Sequence, residues 1–428
     1  MTSPTRQMSP VTSPVIGSIR PPGSKSLGNR ALVLAALSRG TTTLEGILDS
    51  IDTRVMISGL GQLGFSLDGT PASGRWQITG AEGRVPAGAA DLDLENSGTS
   101  IRFLAALAAL GHGTYRLDGN ARMRQRPIGD LVNALTHHGV AIRCESDSGC
   151  PPLMIDARGI PGGEIAVAGT TSSQYLSALL MAAPCAEGPL TIRITGSLVS
   201  RPYIDMTIAL MRLFGAVVVE ESPGSFAVSP TGYDGIEWRI EPDASAASYF
   251  LAAAAVTGGD VTVEGLGLDA LQGDIQFARC LERMGCALHE SARGVRIVGG
   301  QLTGIDVDMN AISDTAQTLA IVAAFSSGAT RIRGIAHARH KETDRVAAMA
   351  TELTRMGVQV DEHEDGLTIH PGPIRPTRIE TYDDHRMAMS FAIAGLVAPG
   401  IEILDPGCTS KTYPDFFRDL DRLCGVGS

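Results

Sequence analysis

Apolar positions along the chain fall into one pattern that returns six times. An Ala/Leu-rich run with helical spacing breaks at Gly, and a short segment of β-branched residues with strand periodicity follows. The pattern occupies residues 32–47 (LVLAALSRGTTTLEGI), 104–119, 179–196, 249–265, 319–334 and 391–406. Between these runs lies a second element, an amphipathic helix ending in Gly with a strand pair behind it. ISGLGQLGFSLDG, VNALTHHGVAIRC, IALMRLFGAVVVE, CLERMGCALHE and ELTRMGVQVDE are its copies, and the C-terminal LDRLCGVGS reads as a truncated sixth. The units recur about every 70 residues, longer than a solenoid repeat, so each reads as a small βαβαββ fold. Six of them in two groups of three make two similar α/β domains.

The switch between groups falls at 235–248 (GIEWRIEPDASAAS), where a repeat helix restarts at Ala246. The first repeat helix begins near Ser26, so a strand at 15–20 is left over to complete the second domain. The expected division is a disordered tail over 1–14, one domain of 23–240, and another of 15–22 with 241–428. The two chain crossings, near residues 20–23 and 240–243, make a hinge, and the cleft between domains is the expected ligand site.

The 428 residues suffice for two substantial cores, and with only 4% aromatics these must be built from Ala, Leu, Ile and Val. No apolar run approaches the roughly 18 residues needed to span a bilayer. The N-terminal MTSPTRQMSPVTSP is rich in Ser, Thr and Pro and lacks the apolar core of a signal peptide. A formal net charge of −11 argues against nucleic acid or anionic membrane as a partner. Seven Cys without a Cys-x-x-Cys pair indicate neither a zinc site nor a disulfide framework. The expectation is a cytoplasmic protein handling small molecules, any anionic one captured by a local basic cluster.

Such clusters recur at the starts of helices. In PPGSKSLGNRALVLAAL (21–37), a rigid turn leads through a loop carrying Lys25 into an apolar helix. Ser24 or Ser26 can cap it, and Arg30 returns to the same face about one turn on. A nucleotide P-loop is excluded, because Ser24 stands where that motif has the Gly before its Lys. ENSGTSIR (95–102) places Asn96, Gly98 and Thr99 at a helix start, and RMRQRPIGD (122–130) puts three arginines in five residues. TTSSQ (170–174), SRPYID (200–205), SDT (313–315), HKETDR (340–345), DDHR (383–386) and TSKT (409–412) continue the series. Taken singly, each also fits an ordinary cap, a solvated loop or a surface ion pair. Together, at equivalent ends of successive units, they place Lys25, Arg30, Arg126, Lys341, Arg345, Arg386 and Lys411 around one cleft with only a few acids. That suits substrates carrying phosphates or carboxylates, and makes Asp314 and Glu342 the candidates for proton transfer.

At this point the residues carry a resemblance. PGSKSLGNRALVLAAL, RPIGDLVNAL, SSQYLSALLMAAP, LVSRPYIDMT, DASAASYFLAAAA, KETDRVAAMATEL and DDHRMAMSFAIAGL are similar to signatures of the 5-enolpyruvylshikimate-3-phosphate synthase family, over residues 15–417. The resemblance implies two pseudo-symmetric α/β domains of three βαβαββ units each, an inside-out barrel arrangement closing over shikimate 3-phosphate and phosphoenolpyruvate. It implies a monomer without metal, nucleotide or organic cofactor. Ser172, Ser173 and Ser200 would hold the 3-phosphate with Lys25. Ser26, Arg30, Gln174, Tyr203, Asp314 and Lys341 would hold the ring hydroxyls and carboxylate, with His337 standing where the family commonly has Asn. Lys25, Arg126, Arg345, Arg386 and Lys411 would grip phosphoenolpyruvate beside Asn96 and Gln174, Gly98 allowing its close approach. Lys25, Asp314 and Glu342 would share the proton transfers. Ser97 and Phe103 depart from the Ala and Pro frequent in this segment, while Gly98 predicts sensitivity to glyphosate. The sister family, UDP-N-acetylglucosamine enolpyruvyl transferase, typically carries a reactive Cys where Ala121 stands here. A non-catalytic ligand-binding paralogue is the remaining alternative.

Overall fold

A computed structural model describes residues 4–425. The chain divides into two compact units. One ends at Pro22 and resumes at Glu241; the other is Gly23–Ile240.

Each unit is built three times over from one plan, and the apolar pattern explains it. Strands alternate: in Arg75–Thr79, Trp76 and Ile78 turn inward and their neighbours outward. The Ala/Leu runs are buried on every side. Gly98–Ala109 is buried throughout, as is Lys25–Leu37 from Leu27 onward. A helix apolar all round belongs in a core, and its small side chains let neighbours approach closely. Lys25–Leu37, Gly98–Ala109 and Ser173–Ala182 are the core helices of one unit; Ala244–Thr257, Ala316–Ala323 and His385–Ala394 are those of the other. The second helix of each repeat, such as Arg201–Leu213 or Arg345–Arg355, has a polar outer face.

The repeat over 89–158 shows the plan whole. Strand Ala89–Asp93 leads to helix Gly98–Ala109, strand His112–Asp118, helix Gly129–His137 and the strands Ala141–Cys144 and Leu153–Arg158. The first strand pairs parallel with the second, and the last two add antiparallel. Where the chain crosses between units, the leading strand comes from afar. Glu237–Arg239 pairs parallel with Thr41–Glu45, and Ile16–Ile19 pairs parallel with Asp260–Glu264. The crossings adjoin, Asp243 N–H donating to Pro22 O at 2.8 Å. The helix expected from Ala246 starts at Ala244, because the Asp243 carboxylate caps it by accepting from Ala246 N–H at 2.8 Å.

The expected disordered tail needs correction. Thr5–Gln7 is a strand pairing antiparallel with Ile401–Leu404, which itself runs parallel to Thr377–Ile379. Arg6 meets Asp421 at 2.6 and 2.7 Å, and the Met8 side chain is buried. The sixth repeat, whose second helix is Phe416–Cys424, thus takes its antiparallel strand from the chain's start. Residues 1–3 of that tail lie outside the described residues.

Candidate functional site

In the unit 23–240, side-chain hydrogen bonds within the first two turns tie four helices together near their N-termini. Ser24 Oγ accepts from Leu27 N–H (3.3 Å), which makes Lys25 the first helical residue. Ser172 Oγ caps Ser173–Ala182 by accepting from Gln174 N–H at 3.3 Å. Gln174 Nε2 donates to Thr99 Oγ1 (3.1 Å) at the start of Gly98–Ala109, whose Arg102 donates back to Gln174 Oε1 (2.8 Å). Ser200, at φ 54, turns the chain into Arg201–Leu213, which carries Tyr203. Helix N-termini present unsatisfied N–H groups and partial positive charge.

The cations of this unit are held in two ways. Lys25 Nζ lies 3.1 Å from Asp52 Oδ2, a carboxylate only 1% exposed. Arg30 is held by hydroxyls and a backbone carbonyl. It is buried, donating from Nε to Thr207 Oγ1 (2.7 Å), from Nη1 to Ser26 O (3.0 Å) and from Nη2 to Ser177 Oγ (3.3 Å). Phe103 and Tyr203 lie against its guanidinium, at 5.1 and 5.9 Å from their ring centroids. Burial pushes Arg30 down to about 10, still charged at neutral pH. Arg102 is buried too and donates to Gly98 O (3.2 Å), Pro127 O (3.0 Å) and Gln174. Among the described residues, neither Arg30 nor Arg102 has a carboxylate partner.

Arg126 Nη1 donates to Asn96 O and Asn96 Oδ1, both at 3.0 Å. Arg126 and Arg102 converge on Gly98. A Cβ there would lie 2.6 Å from Arg102 Nη1 and 2.7 Å from Arg126 Cζ, and closer still to Arg126 Nη2. Only the absence of a side chain leaves both guanidinium groups room.

The other unit gathers Asp314, Glu342, Arg345, Asp384 and Arg386 into one network. Arg345 is its centre: Nη1 meets Asp314 Oδ1 (3.1 Å), Nη2 meets Glu342 Oε2 (2.7 Å) and Nε meets Asp384 Oδ2 (2.7 Å). Arg386 Nη2 meets the other Asp314 oxygen at 2.7 Å, and its Nη1 donates to Tyr249 Oη at 3.4 Å. Asp384, fully buried, also caps His385–Ala394 by accepting from Arg386 N–H at 2.9 Å. Three carboxylates surround Arg345, the expected Asp314 and Glu342 together with Asp384.

Around this network, His337 Nε2 lies 2.9 Å from Ser313 Oγ, and burial with nearby Lys341 pushes its imidazole down to about 4, leaving it neutral near pH 7. Lys341 is half-buried where Ala336–His340 ends, and Lys411 is buried at the end of Pro406–Lys411. Burial pushes the Asp383 carboxyl up against the pull of Lys411. Asp274, which accepts from Ser245 Oγ, is pushed up to about 6 by burial and by Asp314. Among the described residues, no three His, Cys, Asp or Glu side chains are gathered as metal ligands, and no helix is long and apolar enough to cross a membrane.

Sequence reasoning missed Asp52, Arg102 and Asp384 as individuals. Arg102 and Asp384 stood inside quoted motifs, ENSGTSIR and DDHR. Asp52 gave only the signal of an acid in the first turn of a helix capped by Ser50.

The family model for EPSP synthase (3-phosphoshikimate 1-carboxyvinyltransferase) matches residues 11–420. A 3-phosphoshikimate 1-carboxyvinyltransferase of Nostoc punctiforme is 48% identical over 421 residues, covering 98% of this chain and 99% of its own. One from Vibrio atlanticus is 47% identical over 96% and 97%. Among solved structures, an EPSP synthase from Acinetobacter baumannii superposes with a TM-score of 0.81 at 27% identity, covering 98% of each chain. The enolpyruvyl transferase NikO from Streptomyces tendae, at 18% identity and a TM-score of 0.79, shares the fold.

Proposed function

The chain belongs to the EPSP synthase family, and from that membership we propose that the polar cluster of each unit serves the family's reaction. The enzyme transfers the enolpyruvyl group of phosphoenolpyruvate to the 5-hydroxyl of shikimate 3-phosphate, releasing phosphate. The observation that carries the site assignment is the pair of buried guanidinium groups, Arg30 and Arg102, with no carboxylate partner among the described residues. Buried charge of one sign is costly until an anion neutralises it, and four helix N-termini add to the demand.

Ser172, Ser173 and Ser200 with Lys25 take the 3-phosphate. Ser26, Arg30, Gln174, Tyr203, Asp314, His337 and Lys341 take the ring hydroxyls and carboxylate. Lys25, Asn96, Gly98, Arg126, Gln174, Arg345, Arg386 and Lys411 take phosphoenolpyruvate. As the 5-hydroxyl oxygen attacks C2, Asp314 accepts the hydroxyl proton and Glu342 delivers one to the methylene carbon, making it a methyl group. In elimination, Glu342 takes a proton back from that methyl as the C2–methylene double bond re-forms and the C2–O bond to phosphate breaks; Lys25 neutralises the departing phosphate, and the proton held by Asp314 passes to solvent.

The bond from Arg345 to Glu342 Oε2, 2.7 Å, gives this sequence a physical start. A substrate carboxylate arriving on Arg345 competes with Glu342, and weakening that ion pair favours the protonated carboxyl. We place the reaction in the cytoplasm and on a monomer. The net charge of −11 and seven free cysteines support the compartment.

The test is phosphate release from the two substrates by wild type and Glu342→Gln. Turnover that falls at least about a hundredfold in the variant supports the acid–base role. Wild type that binds both ligands without turnover would show a binding paralogue instead.

A further inference from the structure

Tyr382 and Asp383 lie consecutively in the left-handed helical region, at φ 55 and 53, just before the turn that delivers Asp384 and Arg386. Neither is glycine, so the surroundings must hold both residues there against their own preference. The holding group is Glu352, fully buried in the helix Arg345–Arg355. Tyr382 Oη donates to Glu352 Oε1 (2.8 Å), and Glu380 N–H donates to Oε2 (3.2 Å). Arg355 Nη1 donates to both oxygens, at 2.9 and 2.7 Å, fixing the carboxylate against rotation.

These bonds close a mechanical ring. Arg345 opens the same helix, roughly two turns before Glu352. Two residues past Tyr382, Asp384 returns to Arg345, at 2.7 Å from Nε and 3.3 Å from Nη2. Asp384 also accepts from Arg386 N–H, so a shift of the turn reaches both arginines. Asp383, between them, is within electrostatic reach of Lys411. Two of the cations assigned to phosphoenolpyruvate, Arg345 and Arg386, are therefore bonded to the residue that follows one strained turn.

We propose that Tyr382 and Glu352 are positioning residues that hold the left-handed turn at 382–383 and thereby aim Arg345 and Arg386 at phosphoenolpyruvate. This rests on the assignment of those arginines given above. The Tyr382 hydroxyl acts through Asp384, so its loss falls first on the grip on phosphoenolpyruvate, the co-substrate assigned to both arginines.

Steady-state kinetics of Tyr382→Phe, varying each substrate in turn, tests this. KM for phosphoenolpyruvate is expected to rise roughly five- to twentyfold, with kcat and KM for shikimate 3-phosphate within about twofold of wild type, the signature of lost uniform binding. Tyr382→Asn also lacks the hydroxyl's bond to Glu352 but adopts the left-handed region more readily, so its rise is expected to be smaller. Arg386→Lys is the control. If it raises KM for phosphoenolpyruvate and both Tyr382 variants leave that constant unmoved, even with a lowered Tm, the positioning role is overturned. If Arg386→Lys itself leaves that KM unchanged, the assignment of the arginines fails and the positioning role falls with it.

Discussion

His337→Asn should uncouple stability from acid in a way the geometry lets one calculate. The imidazole is 5% exposed, 2.9 Å from Ser313 Oγ, and held down from 6.5 to about 4 by burial and Lys341. An unfolded chain binds a proton at this residue near pH 6.5, whereas the native state binds it only near 4. Between those values the unfolded state holds more protons, so native stability falls as pH falls. The contribution is full above 6.5 and gone below about 4. At about 1.4 kcal/mol per pH unit, it grows to roughly 3 kcal/mol across the window.

Asn still offers Ser313 an amide partner but does not titrate there. Urea unfolding of both proteins from about pH 7.5 to about pH 4.5 yields the stability difference at each pH. Taking the difference is essential, because Asp274 titrates in the same window with the opposite sign. Raised from 3.8 to about 6, that carboxyl contributes stability below 3.8 which is lost as pH rises through 6, and it cancels between the two proteins. The variant should gain on wild type by roughly 2–3 kcal/mol on going to the acid end. A difference that stays constant with pH would refute the claim that burial keeps this imidazole neutral.

Gly98→Ala places a methyl group against two guanidinium ends already pinned by Asn96, Gln174 and Pro127. KM for phosphoenolpyruvate should rise roughly 10- to 100-fold, with inhibition by glyphosate weakened in parallel, and kinetics unchanged within twofold would count against the crowding. Removing residues 1–10 takes away the strand Thr5–Gln7, the pairing of Arg6 with Asp421 and the buried Met8. A loss of roughly 3–5 kcal/mol should lower Tm by about 6–20 °C and expose a strand edge to aggregation, whereas a dispensable tail would leave both untouched.

The repeat was legible because it is local. RWQIT alternates within five residues, and the Ala/Leu runs hold helical spacing over several turns. The tail strand was not, since three residues among Ser and Pro carry no periodicity; its partner lies nearly 400 residues on. Yet the sequence contained the demand for it. A sixth copy that stops after its second helix leaves the strand Ile401–Leu404 with an open edge, and an open edge in a repeating sheet needs a partner.

The site divides along the same line. Caps at Ser24 and Ser172 follow from residues two or three apart, whereas Asp52 reaches Lys25 across 27 positions and Arg102 reaches Gln174 across 72. Spacing also counts charges without pairing them. Arg30 and Arg345 look alike as sequence, but one has hydroxyls, a carbonyl and aromatic faces for neighbours, and the other three carboxylates. An anion approaching Arg30 supplies charge that is wanting. An anion approaching Arg345 meets Glu342, Asp314 and Asp384 already there and has to compete with them for the guanidinium. The two units thus carry differently balanced clusters, a distinction that composition cannot express and pairing makes plain.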